Sequence, residues 1–189
     1  MPAGILVLIV GPSGAGKDTL LAIAREALAG DDRFLFPRRH VTRPSDSDEP
    51  VEERTAEAFA REQAAGGYAL SWAAHGQLYG VPRSIEAALE RGKVVVVNVS
   101  RSVVGEALAD QRRVVVLQVT APAAILAERL SRRGRETAED IKERVTRTVP
   151  PLPSGLPVIS IENDRTPAHA ARLFVMALRQ IADGGSAAS

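Results

Sequence analysis

Six consecutive apolar residues, Ile5 to Val10, run directly into Gly11-Pro12-Ser13-Gly14-Ala15-Gly16-Lys17. An unbroken, partly β-branched apolar run, here Gly4 to Val10, reads as a strand buried on both faces, which requires a parallel sheet with helices on either side. The glycines let successive backbone N–H groups turn inward around an anion. A helix beginning near Lys17 adds its positive end. The segment satisfies the GxxxxGK part of the Walker A pattern, in the strand–turn–helix setting that the pattern needs to carry meaning. Lys17 is then the charge that meets the β- and γ-phosphates of ATP, and the chemistry indicated is phosphoryl transfer.

The rest of the chain repeats the strand–helix theme. Helices are expected over Lys17–Leu28, Glu53–Ala65, Ser84–Arg91, Ser102–Asp110 and from Pro122 to Arg133. Gly66 and Gly67 close the second of these and Gly92 the third. Thr137 with Asp140 reads as a capping box for a helix to about Thr148, and Thr166-Pro167 opens the last one. Lys93–Val99 and Arg113–Thr120 are further buried strands, Pro157–Glu162 is the last, and Phe34–Thr42 and Tyr68–Ala74 are extended. This alternation predicts a three-layer α/β/α fold around a mainly parallel five-stranded sheet with right-handed crossovers. One domain over residues 1–183 is expected, with an acceptor-binding region at about 34–82 and a lid at about 131–148, followed by a small polar tail.

Composition excludes several classes. The 189 residues carry no cysteine, so disulfides, thiolate metal sites and cysteine nucleophiles are ruled out, and a reducing cytoplasm fits. A net charge of +1 gives no general attraction to nucleic acid or membrane. The apolar run at the start is far shorter than the roughly 20 residues of a membrane span. Arginine outnumbers lysine 21 to 3, and the guanidinium fork is suited to phosphate.

Two departures from the common nucleotide-binding pattern stand out. Asp18 replaces the hydroxyl residue that ligates Mg²⁺, with Thr19 behind it. A carboxylate beside a triphosphate is repelled unless a cation lies between them, so Asp18 is a candidate Mg²⁺ ligand, directly or through water. The other reading is that Asp18 only favours the helix N-terminus, while Thr19 or waters hold the metal. On the strand Val94–Val99, Asn98 and Ser100 stand where an acidic metal partner is usual. Asn98 is a candidate for hydrogen bonds to a phosphate, a sugar hydroxyl or a metal-bound water.

The glycine loop with Asp18, Val41-Thr42-Arg43, Tyr68-Ala69-Leu70-Ser71-Trp72 continuing to His75-Gly76-Gln77-Leu78-Tyr79-Gly80, and Arg133-Gly134-Arg135 together resemble the guanylate kinases over nearly the whole chain. The resemblance implies that Arg43 and Tyr79 hold the acceptor phosphate. It likewise implies that Arg133 and Arg144 clamp the migrating phosphoryl group, and that Asn163 lies near the adenine of ATP. Ser71 stands where those enzymes place the glutamate that recognises guanine, and Pro44–Glu49 supplies no second acceptor-phosphate arginine.

Asp18, Val-Thr-Arg-Pro, Ala-Leu-Ser-Trp with Ala-His-Gly, Tyr-Gly-Val-Pro and Val-Asn-Val-Ser-Arg are similar to the ribose 1,5-bisphosphate phosphokinases of phosphonate catabolism. That likeness implies ATP and a sugar-phosphate acceptor as partners, Mg²⁺ as cofactor, and 5-phosphoribosyl 1-diphosphate as product. On this reading Gly11, Pro12, Ser13, Gly14, Ala15, Gly16, Lys17, Asp18, Thr19 and Asn163 bind ATP, and Arg43, Ser71, Tyr79 and Asn98 bind the acceptor. A nucleoside monophosphate kinase, an inactive guanylate-kinase-like binding module and a homodimer stay open. So do the roles of Arg38, Arg39, Arg101, Arg147, His75 and the acidic residues Asp46, Asp48 and Glu49.

Overall fold

The computed structural model describes residues 4–42, 50–74, 76–110, 112–133 and 151–184. Five parallel strands form the main sheet: β1 (Ile5–Val10), β2 (Phe34–Leu35), β7 (Val94–Asn98), β8 (Arg113–Thr120) and β9 (Val158–Glu162), in the order β2-β7-β1-β8-β9. Alternate residues of β1 feed two cores. Val7 and Ile9 pack with α1 (Lys17–Ala27) and with the C-terminal helix α6 (Pro167–Ala182), through Leu20, Ala24, Phe174 and Leu178. Leu6, Leu8 and Val10 pack on the other face with α3 (Ile85–Glu90) and α4 (Val104–Ala109). Both faces are covered, which is why β1 is apolar throughout and β7 and β8 carry the valine-rich runs Val94–Val97 and Val114–Leu117.

A second sheet, in the order β4-β3-β6-β5, is built from β3 (Arg39–Val41), β4 (Val51–Glu53), β5 (Tyr68–Ala74) and β6 (Gln77–Pro82). Its Leu70 and Val81 enter the second core beside Val97 and Val99, so this sheet is anchored at the C-terminal end of β7. Helix α2 (Ala56–Ala64) lies against β5.

Three expectations are corrected here. Glu53 is not helical: Val51–Glu53 pairs in parallel with β3, and the helix starts only after Thr55, whose hydroxyl accepts from the Ala58 N–H. Phe34–Thr42 is split between two sheets, because Pro37 lacks the N–H that a continuing ladder needs. The helix expected from Ser102 begins as a 3₁₀ turn at Arg101–Val103, capped by Ser100. The last helix opens as expected, with the Thr166 hydroxyl accepting from His169 N–H ahead of Pro167. The capping pair Thr137 and Asp140, and all but the start of the expected lid, lie outside the described residues.

Candidate active site

The glycine loop joins β1 to α1 at the C-terminal edge of the main sheet, where parallel α/β folds bind ligands. Lys17 is the first residue of α1, so the loop amides and the helix dipole converge on one place. Its ammonium donates to the carbonyls of Gly11 and Pro12 at 2.8 and 2.9 Å. Gly16 adopts φ 90°, and a Cβ built there would lie 2.5 Å from Asn163 Nδ2. Both the left-handed backbone and the close approach demand glycine.

Asn163, directly after β9, is buried, and its Nδ2 donates to the Ala15 carbonyl at 2.8 Å. Its Oδ1 is buried without a hydrogen-bond partner among the described residues. Arg129 reaches the same place from α5 (Ala123–Arg133), donating to the carbonyls of Gly14 and Asn163 at 3.4 and 3.1 Å. Sequence reasoning missed Arg129. The available signal was its position one helical turn before Arg133 on a strongly amphipathic helix.

On the opposite flank, Asn98 Nδ2 donates to Asp18 Oδ1 at 2.7 Å. Asn98 is 8% exposed, whereas Asp18 and Thr19 are exposed at the first turn of α1. Expected at the acceptor, the Asn98 side chain is thus found on Asp18. The groups that meet here are the Asp18 carboxylate and the Asn98 amide, with Thr19 next to Asp18 at the first turn of α1, beside a phosphate cradle. That all-oxygen chemistry fits a hard cation such as Mg²⁺, with phosphate and water completing its shell.

The second sheet presents two different faces. On one, Trp72 and Tyr79 stack with ring centroids 5.4 Å apart and 6° between planes, and the Arg39 guanidinium lies 5.8 and 5.5 Å from their centroids. Arg39 is buried, which removes the solvated-surface reading for it. Ser71 points the other way and accepts from Gln63 of α2 at 3.1 Å. Thr42 Oγ1 accepts from Leu78 N–H and donates to Gln77, fixing the end of β3 on β6.

Behind this sheet lies a polar network that the sequence did not disclose. Glu62 of α2 accepts from the Tyr68 hydroxyl, from Arg54 Nε at 3.1 Å and from His40 Nδ1 at 2.8 Å. Chiefly the Tyr68 hydrogen bond, helped by His40 and Arg54, holds the Glu62 carboxyl at about 2. Burial, followed by the hydrogen bond to Glu62 and then by the Glu62 charge, pushes the Tyr68 phenol up. The network pins α2 beneath β3 and β5.

Of the expected residues, the structure brings together Gly11 to Gly16, Lys17, Asp18, Asn98 and Asn163, and places Ser71 and Tyr79 on the adjoining sheet. Arg43, His75, Gly134, Arg135, Arg144, Arg147, Asp46, Asp48, Glu49 and the Arg133 side chain lie outside the described residues.

A phosphate cradle at the head of α1, a parallel sheet and an appended lobe built on a mixed, mainly antiparallel sheet define a P-loop kinase of guanylate kinase-like fold. The guanylate kinase of Anaplasma phagocytophilum superposes with a TM-score of 0.66 over 95% of this chain and 86% of that one, at 19% identity. A family model described as an AAA domain matches residues 7–149. The ribose 1,5-bisphosphate phosphokinase PhnN of Methylobacterium radiotolerans is 54% identical over 144 residues, covering 76% of this chain and 82% of that protein. The ribose 1,5-bisphosphate phosphokinase PhnN of Acidiphilium cryptum is 45% identical over 184 residues and 96% of both chains. The chain belongs to the ribose 1,5-bisphosphate phosphokinase family.

Proposed function

We propose that this protein transfers the γ-phosphoryl group of ATP to the 1-phosphate of ribose 1,5-bisphosphate, giving 5-phosphoribosyl 1-diphosphate and ADP. The observation that carries the reading is the 45% identity to the Acidiphilium cryptum phosphokinase across 96% of the chain, a span that takes in the whole cradle. In the reaction, a bond forms between an acceptor phosphate oxygen and the γ-phosphorus while the bond to the β–γ bridging oxygen breaks. The acceptor oxygen is already anionic, so alignment and charge neutralisation are needed rather than a strong base. Mg²⁺, when bound with the nucleotide, neutralises β- and γ-phosphate charge.

Within this reading the cradle, Lys17, Asp18, Thr19 and Asn163 hold ATP, and Arg133 and Arg144 stabilise the migrating group. Arg43 and Tyr79 serve the acceptor in a region spanning about residues 34–82 of one kinase domain, while Ser71, bonded to Gln63 on the opposite face of the sheet, stands apart from them. Arg39 is the added element. Its buried guanidinium, seated over Trp72 and Tyr79, supports an acceptor with phosphate at both ends rather than a purine at one. A cytoplasmic location suits these substrates. No helix among the described residues is long and apolar enough to cross a membrane.

The test is a coupled ADP-release assay with ribose 1,5-bisphosphate, ribose 5-phosphate, GMP and AMP as acceptors, with phosphorus NMR of the product. Ribose 1,5-bisphosphate should be preferred, with an anomeric diphosphate as product. Faster turnover of GMP would overturn the assignment.

A further inference from the structure

In common P-loop enzymes the helix offers Mg²⁺ a hydroxyl and a neighbouring strand offers an aspartate. Here both positions are changed, and the two replacements touch. The helix carries the carboxylate, Asp18, and the strand end carries the neutral donor, Asn98, with 2.7 Å between Nδ2 and Oδ1. We infer that Asp18 and Asn98 are one inverted metal-site unit: the negative charge has moved from β7 to α1, and Asn98 is the positioning residue that aims the Asp18 carboxylate at the nucleotide-bound cation.

Three observations support the inversion. The amide belongs to a buried residue on a central strand, so it is a fixed point, while Asp18 is exposed on the cradle side of α1. An exposed aspartate would otherwise sample several rotamers; one charge-assisted hydrogen bond to Oδ1 selects among them and leaves a second oxygen for ligation. An aspartate in place of Asn98 would set two carboxylates within hydrogen-bonding distance, which repel one another and the triphosphate. Given Asp18, the strand end must therefore be a neutral donor. The same reasoning explains why the usual acidic residue is missing from β7 although the rest of the cradle is intact.

The inference rests on the protein binding magnesium nucleotide and is independent of the acceptor. The experiment therefore uses no acceptor: ATP affinity is measured by calorimetry with Mg²⁺ and with EDTA, and the ratio of the two dissociation constants reports the metal's contribution. A general structural defect would move both constants together. In Asn98→Ala, the Mg²⁺ contribution should fall roughly 10-fold or more, as when partners of metal ligands are removed, with ATP affinity in EDTA little changed. Asp18→Asn, an exposed and fold-neutral change, should fall at least as far. Asn98→Asp alone should also weaken MgATP, whereas the double variant Asp18→Ser with Asn98→Asp restores the common arrangement and should recover most of the loss.

The proposal is overturned by an unchanged ratio in Asn98→Ala, or by a double variant no better than either single one. It is overturned too if Asp18→Asn keeps the full Mg²⁺ contribution. A wild-type protein that binds no ATP under either condition sinks the kinase reading itself, a distinguishable result.

Discussion

Replacing Asn163 with alanine isolates one buried bond that supports the nucleotide cradle. The side chain is 4% exposed, and its Nδ2 gives the Ala15 carbonyl a 2.8 Å hydrogen bond. Truncation removes that donor from a residue with 0% exposure, so water cannot take its place. Leaving a buried carbonyl unpaired costs about 1–3 kcal/mol. The other carboxamide atom adds nothing to the loss, since Oδ1 has no partner among the described residues. The main-chain bonds, Asn163 N–H to Thr120 and Arg129 to the Asn163 carbonyl, do not involve the substituted side chain. Asn163→Ala should therefore lose about 1–3 kcal/mol in urea unfolding at unchanged m-value. For a domain of this size that corresponds to a melting temperature lower by roughly 2–10 °C. Asn163→Asp sharpens the test. An ionised carboxylate facing a carbonyl oxygen is repulsive, whereas the protonated acid can donate to it. The folded state then holds this proton more tightly than the unfolded chain does. Stability should be highest below the unfolded carboxyl's value of about 4 and fall as pH rises through the raised folded value. If alanine lies within about 0.5 kcal/mol of wild type, or if aspartate matches asparagine at pH 8, the staple is not what holds this side of the cradle.

Lys17→Ala should reduce turnover by about 100-fold or more in the ADP-release assay, because the γ-phosphate loses its closest preorganised cation. Glu62, held at about 2 against an ordinary 4.5, contributes stability that is present above the ordinary value and lost as pH falls through the depressed one. Scanning fluorimetry should show the melting temperature dropping between about pH 4.5 and pH 2, with a shallower drop in Glu62→Gln; parallel curves would remove Glu62 from the account. Gly80→Ala places a Cβ 2.5 Å from Cε1 of Tyr68, whose ring is stacked on Phe59, and should cost about 1–3 kcal/mol by chemical denaturation.

Parts of the molecule whose structure follows from one-dimensional pattern were legible in the sequence. Strand β1 and the valine runs of β7 and β8 are apolar because both their faces are covered, and the glycine loop announces its own conformation. Strands β4 and β6 were not legible. Val51-Glu52-Glu53 is mostly charged, and Gln77–Pro82 includes a glycine and a proline; the first is a strand because β3 lies beside it, the second because it is paired between β5 and β3. The site divides in the same way. Lys17 and Asp18 declare themselves by position, but the bond that gives Asn98 its partner joins residues 80 apart in sequence. Arg129 and the Glu62 network belong to the same class, since helix spacing shows which residues share a face but not which distant carbonyl or hydroxyl that face will meet.

The distribution of donors around the cradle has a single physical origin. A loop that turns its N–H groups inward toward an anion must turn carbonyls outward, and an outward carbonyl in a packed interior needs a donor. Asn163 serves Ala15, Arg129 serves Gly14, and Lys17 serves Gly11 and Pro12. Every side chain in that set is neutral or cationic, because a carboxylate would repel both the carbonyls and the polyphosphate. Lys17 is the member that the proposed reaction also requires at the γ-phosphate, where phosphate oxygens would replace the carbonyl oxygens its ammonium now meets. Asp18 is the exception to the charge rule, and on the inference above it stands on the flank where the cation would lie between it and the phosphates. Its hydrogen-bond partner, the Asn98 amide, fixes direction without adding charge.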